Sequence, residues 1–229
     1  MSVLMSLRDE DYSKNVTELI EARGYPYEQH YVTTVDGFVL SLQRIPHGRD
    51  PNKSVNKERP LVFLQHGLLD ASETWVQNYE DQSLAFILAD AGCDVWMGNV
   101  RGNIYSNTNV KWKPKDKQFW LWSFDDFANI DLPTMIDYVL KQTNRSQIDT
   151  YVGHSQGTAI GFACFSSKDC GGDVPLSSKV KLFVALAPVT YVGHVQSRLL
   201  NILADLHIDE LLVYLGFNDF LPSTKWLQR

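Results

Sequence analysis

Thr150-Tyr151-Val152-Gly153-His154-Ser155-Gln156-Gly157-Thr158-Ala159-Ile160 is the stretch on which the reading of this chain turns. A β-rich run ends at a glycine and passes directly into helix-compatible sequence. That predicts a buried strand, a tight turn and a helix. The centre fits G-x-S-x-G, a turn that lifts a serine above the edge of a sheet in a strained conformation. Gly153 and Gly157 leave room there for the neighbouring strand and helix to approach. Alone the pattern is weak, because glycine and serine are common. The bland reading of Ser155 is a small residue in a tight turn that needs no reactivity.

The segments on either side give the pattern its weight. Pro60 to Gly67 is an apolar run ending in His66-Gly67, as a strand buried on both faces should read. Ser83 to Gly92 predicts a helix closed by a glycine, and Asp94 to Gly102 the next strand with its loop. An aromatic, basic loop follows from Tyr105 to Phe124. A long helix is then expected from Asp125 to Lys141, kinked near Asp131 by Pro133. Lys179 to Pro188 reads as a further buried strand. Upstream, Tyr12 to Arg23 has the spacing of a short amphipathic helix, and Asp36-Gly37 between two β-rich runs predicts a hairpin. Strands alternating with helices imply an α/β fold with a mostly parallel sheet and right-handed crossovers. Leu199 to Leu215 has helical spacing and suits either a core helix or a lid.

Composition narrows the function classes. The chain has 229 residues, 44% hydrophobic and 21% charged, within the range of ordinary globular proteins, and a net charge of −6. With no extended basic run or glycine-rich phosphate loop, nucleic acid is not an expected partner. No stretch has the run of apolar residues a membrane span needs. Met1 to Tyr12 carries Arg8, Asp9, Glu10 and Asp11 where a signal peptide would be apolar, which reads as cytosolic unless an upstream segment is missing. Cys93, Cys164 and Cys170 lack metal-ligand spacing. With Cys164 on a core-facing helix, they are expected to be buried free thiols, and no metal or cofactor is implied. The sequons at Asn15, Asn52 and Asn144 would matter only in a secreted chain.

A reactive Ser155 needs a base, an acid to orient that base, and donors for an oxyanion. In a strand–turn–helix of this kind one donor is the N–H after the nucleophile, here Gln156. The other comes from the loop after the earlier strand, His66-Gly67-Leu68-Leu69. His66 is expected to shape that loop by hydrogen bonding rather than act as base, and His154 to point away from the Ser155 hydroxyl. Arg101 and Asn103 are expected to fix neighbouring loops. The aromatics Trp112, Phe119, Trp120, Trp122 and Phe124 favour core packing over an acyl pocket. After Ser155 the histidines are His194 and His207 and the acids Asp173, Asp205, Asp209 and Asp219. Surface or helix-face positions suit these better than a triad role.

These residues carry a resemblance. The chain resembles the acid lipases, the family of gastric lipase, lysosomal acid lipase and steryl-ester hydrolases. The matching stretches are 30–40, Leu64-Gln65-His66-Gly67-Leu68-Leu69, Gly98 to Asn103, Trp122 to Asp126 with Asp131-Leu132-Pro133, and Gly153 to Thr158. The resemblance implies an α/β-hydrolase fold in which Ser155 is the nucleophile and the N–H groups of Leu68 and Gln156 form the oxyanion hole. His66, Gly67, Gly153 and Gly157 support them. It implies residues 1–188 as the first part of the hydrolase core and 189–229 as the start of a cap. It also implies a neutral-lipid ester as substrate, peripheral contact with a lipid surface, and a lysosomal or secreted setting. Family members run considerably further and carry their acid and base there. The chain is therefore expected to be an N-terminal piece, truncated in the cap region before the last strands and catalytically incomplete. The alternatives are a non-catalytic lipid- or partner-binding scaffold and a small-ester esterase.

Overall fold

The computed structural model describes residues 10–50 and 58–191. The expectations for Leu199 to Leu215, the cap, His194, His207, Asp205, Asp209, Asp219 and the Asn52 sequon lie outside the described residues.

The chain opens with a 3-10 turn, Glu10–Ser13, and helix α1, Val16–Ala22. Asn15 caps α1: its Oδ1 accepts from the N–H groups of Thr17 and Glu18, each at 3.0 Å, while Glu18 Oε2 accepts from the Asn15 N–H at 2.8 Å. The hairpin follows as β1, Glu28–Thr33, and β2, Val39–Ile45. Gly37, at φ +94°, takes the left-handed position of its turn. Then come β3 (Leu61–Gln65), α2 (Leu84–Asp90) and β4 (Asp94–Gly98). Both strands are buried along their whole length, as continuous apolar runs between two helix layers should be. Gly92, at φ +98°, ends α2 as expected.

The helix anticipated over Asp125 to Lys141 is interrupted. It runs as α3 (Phe124–Asp126), a π turn (Phe127–Asp131) and α4 (Leu132–Thr143). Pro133 has no N–H to give the turn before it, and the wider π turn beside it takes up the mismatch. β5 (Ile148–His154), α5 (Gln156–Ser166) and β6 (Val180–Leu186) complete the described chain.

The six strands form one sheet in the order β1-β2-β4-β3-β5-β6. β4, β3, β5 and β6 are mutually parallel, and β2 runs antiparallel to β4. Alternate side chains feed two cores. Leu61, Phe63, Trp96 and Tyr151 join Met135, Ile136 and Ile160 on the α4–α5 face. Val62, Leu64, Val95, Met97 and Val152 join Leu19, Ile20 and Phe86 on the α1–α2 face. The parallel strands therefore all end at one edge of the sheet. Among the described residues no helix is long and apolar enough to cross a membrane.

One cysteine expectation is corrected. Cys164 and Cys170 are joined in a disulfide, with Cα atoms 5.3 Å apart, and Cys93 is the free cysteine. Cys164 is buried as its helical position implies. α5 ends at Ser166, Ser167 turns extended (φ −92°, ψ 132°) with its N–H on Cys164 O at 3.1 Å, and the short segment beyond it brings Cys170 back to Cys164.

Candidate active site

Ser155 stands where β5 ends and α5 begins. Its backbone lies at φ 49°, ψ −114°, a region that costs a non-glycine residue about 1–3 kcal/mol and survives only when surroundings enforce it. The enforcing bonds are visible. The Ser155 N–H donates to Leu186 O in β6 at 3.0 Å. Ser155 O accepts from the Thr158 N–H at 2.9 Å and from Thr158 Oγ1 at 2.6 Å. The buried Tyr151 hydroxyl donates to Gly157 O at 2.7 Å, tying strand to helix below the turn.

Glycine is required on both sides. A Cβ at Gly153 would lie 2.6 Å from the Gly157 carbonyl carbon and oxygen, and one at Gly157 would lie 2.8 Å from His66 O. α5 thus presses directly on the end of β5 and on the loop after β3. The Gln156 N–H, in the first turn of α5, has no intrahelical acceptor and lies at the positive end of the helix dipole.

The loop after β3 reaches the same place. A Cβ on Gly67 would stand 3.2 Å from Ser155 Cβ and 3.2 Å from His154 Nδ1. Leu69, at φ 56°, turns the loop outward, leaving the Leu68 and Leu69 side chains exposed at the rim. The expected oxyanion donors therefore come from two segments that meet at Ser155.

His66 is buried and holds this loop. Its Nδ1 lies 2.8 Å from Gly67 O, a pure acceptor, so Nδ1 carries the proton. Nε2 then accepts from the Val100 N–H at 3.3 Å and from Asn103 Nδ2 at 3.2 Å. Burial lowers the His66 pKa, outweighing the Gly67 carbonyl and Asp70, so the imidazole is neutral. Among the described residues no histidine bonds Ser155. His66 is committed to its loop, and His154 packs edge-on against Trp75. His30 bonds Tyr138 and Glu28, and His47 bonds Gly48 O.

The loop after β4 backs up this arrangement. Asn103 Nδ2 also donates to Asn99 Oδ1 at 2.8 Å, and Asn99 bonds Ser41 O, Gln43 and Ser72. Arg101 is buried between Asp131 and Asp36. Asn99, Thr158, Tyr151 and Asp131 have supporting parts that motif reading did not assign: Asn99 and Asp131 bond residues remote in sequence, while Thr158 and Tyr151 act through side chains that a G-x-S-x-G pattern does not specify. Phe119 is buried, and Trp120 and Trp122 pack on the core, whereas Trp112 and Phe124 are exposed. A surface concavity beside Arg49, Glu80 and Asp90 shares no residue with the elbow. The site is defined by backbone geometry. Among the described residues no group of three or more His, Cys, Asp or Glu could hold a metal ion.

Comparison with known proteins places this geometry in context. A family model described as the α/β hydrolase fold matches residues 60–216, and one described as a partial α/β-hydrolase lipase region matches residues 16–79. Bovine gastric triacylglycerol lipase is 43% identical over 217 residues, covering 95% of this chain and 53% of its own length. Lysosomal acid lipase/cholesteryl ester hydrolase of Macaca fascicularis is 46% identical over 219 residues, covering 93% and 52%. The chain thus spans about half the length of these curated relatives. Among solved structures, an esterase of Pyrococcus furiosus aligns with TM-score 0.52 and 17% identity, over 86% of this chain and 63% of that one, a likeness of fold.

Proposed function

The chain belongs to the α/β-hydrolase fold family, and from that premise we propose that the whole protein is a serine hydrolase of neutral-lipid esters, a triacylglycerol or steryl-ester lipase. Ser155 Oγ attacks the ester carbonyl carbon as its proton passes to a base. The carbonyl oxygen becomes an oxyanion held by the N–H groups of Leu68 and Gln156. Collapse of the tetrahedral intermediate expels the alcohol, which takes up the proton, and leaves an acyl group on Ser155. Water then releases the acid by the same steps. No described residue is placed to act as the base, so that role is assigned to a distal Asp–His pair of the whole protein.

One observation carries the reading. Ser155 is held at the costly φ of 49° directly beside the Gly67 loop, the position a nucleophile elbow gives its serine. The lipid class is drawn from relatives named as lipases. The test is hydrolysis of trioleoylglycerol and cholesteryl oleate emulsions by the full-length protein, with Ser155→Ala beside it. A fluorophosphonate label on Ser155 and loss of turnover in the variant are expected. Undiminished hydrolysis by Ser155→Ala would sink the proposal. Turnover confined to short soluble esters would indicate an esterase, and none at all a scaffold.

A further inference from the structure

We propose that residues 110–117 form a docking surface for an anionic lipid surface, on the same edge of the sheet as Ser155. The run is Val110-Lys111-Trp112-Lys113-Pro114-Lys115-Asp116-Lys117, four lysines in a chain of 21 Lys and Arg with net charge −6. All four are exposed, and among the described residues none forms an ion pair. Elsewhere the cations are mostly neutralised: Lys179 by Asp137, Lys181 by Asp149, Arg44 by Glu28 and Asp94, Arg49 by Asp90. Lys141 and Lys168 are also unpaired, but each stands apart from other lysines. Asp116, the acid inside the run, accepts the Lys113 N–H at 2.8 Å.

Charge alone would suit any polyanion. The apolar groups between the lysines favour a lipid surface. Trp112 is 42% exposed and Val110 64%. An indole flanked by ammonium groups matches a headgroup layer, with the ring at the boundary and the cations on phosphates and carboxylates.

The segment is also preformed. Asn109 Oδ1 accepts the N–H groups of Lys111 at 2.9 Å and Trp112 at 3.3 Å. Trp120 Nε1 donates to Pro114 O at 2.6 Å from below. The Val39 N–H donates to Thr108 O and the Val110 N–H to Gly37 O, each at 2.9 Å, fastening the run to the β1–β2 turn.

That attachment fixes its place. Because β2 runs antiparallel to β4, with Leu42 opposite Gly98, the β1–β2 turn projects from the edge where the parallel strands end. Two strands, β4 and β3, separate β2 from β5. At ~4.8 Å per strand β2 lies about 15 Å from β5, so the turn that holds the lysine-bearing segment stands roughly that far along the edge from the strand that ends at Ser155. One lipid surface laid on the edge would meet both.

The inference rests on the lipase reading for its purpose but is read out by binding, so the two can fail separately. Each lysine near an anionic bilayer is worth about fivefold in partitioning, and the four together several hundredfold. The experiment is vesicle sedimentation of the full-length protein with phosphatidylcholine vesicles, with and without phosphatidylserine. The variants are the quadruple change Lys111→Gln, Lys113→Gln, Lys115→Gln and Lys117→Gln, and Trp112→Ala. Binding is expected only with phosphatidylserine, falling roughly a hundredfold or more in the quadruple variant and on raising salt to ~0.5 M. Trp112→Ala should weaken it less. Near-UV circular dichroism should be native in both variants. Equal binding of wild type and quadruple variant would overturn the proposal, as would equal binding to phosphatidylcholine alone. Binding to heparin with neither vesicle bound would reassign the run to an acidic polymer. Absence of ester hydrolysis would leave the vesicle result standing.

Discussion

Arg101 and Asp131 bury their opposite charges completely against one another. Arg101 donates to Asp131 Oδ1 from Nε at 2.9 Å and from Nη2 at 2.7 Å, and its N–H donates to Oδ2 at 2.9 Å. The pair ties the loop after β4 to the π turn, and Asp36 extends it to the β1–β2 turn. The next residue back, Val100, supplies an N–H to His66, so the pair stands one step from the loop beside Ser155.

Asp131→Asn should therefore be costly. Removing one partner of a buried pair typically loses 3–5 kcal/mol, because the other charge is stranded. Asp36 still faces Arg101, which places the expected loss at about 3 kcal/mol. Urea unfolding of the full-length variant measures it, and a loss below ~1 kcal/mol would mean that Asp36 alone satisfies Arg101.

Two glycine substitutions should separate folding from turnover. In Gly153→Ala the new methyl group meets Gly157 backbone at 2.6 Å, which cannot yield without shifting α5. A loss of about 3 kcal/mol or more is expected. In Gly67→Ala the methyl group meets Ser155 Cβ and His154 Nδ1 at 3.2 Å, contacts that small shifts relieve. Stability should change little, while displacement of the oxyanion loop should lower kcat roughly a hundredfold with KM nearly constant. Equal kcat in Gly67→Ala and wild type would argue against Leu68 as a donor.

How much of this was legible depends on the distance each feature spans. β3 and β4 could be read because a strand buried on both faces is a short apolar run, and the Gly37 and Gly92 turns because their conformation favours glycine. The elbow was legible for the same reason, with Gly153 and Gly157 marking where backbone approaches backbone. Arg101 was recognisable as a loop anchor, but its partners lie in the β1–β2 turn and the π turn, which no local pattern connects. The break at Asp131 could be placed from Pro133, though a proline alone does not distinguish a kink from a π turn. The Cys164–Cys170 bridge is not legible from helix spacing, which places Cys164 inward, because its partner is brought back by the chain leaving α5 after Ser166, a turn no helical pattern marks.

His66 predicts a pH dependence of stability. Its folded pKa is lowered, chiefly by burial, so the unfolded chain takes up the proton more readily. Stability is full above the unfolded value of about 6.5 and falls as the pH drops below it, until the folded imidazole also titrates. A proton on Nε2 would face two donors, the Val100 N–H and Asn103 Nδ2. Urea midpoints of the full-length protein at stepped pH should decline below ~6.5, and His66→Gln should flatten that decline. An unchanged slope in the variant would assign the effect to other groups.

The disulfide is open to direct measurement. It closes a loop with a sequence separation of 6, for which the chain-entropy model gives about 2 kcal/mol. The bridge pins the end of α5, whose other end carries Ser155 and Gln156. The double change Cys164→Ser and Cys170→Ser should lower the unfolding free energy of the full-length protein, from urea titration, by that amount. Both serines would also bring a hydroxyl into buried positions, so Cys164→Ala with Cys170→Ala controls for polarity. Because Thr158, Tyr151 and Leu186 fix the elbow independently of the bridge, kcat on a soluble ester should change less than twofold. A large fall in kcat at unchanged stability would mean that the bridge, rather than those bonds, sets the position of Ser155.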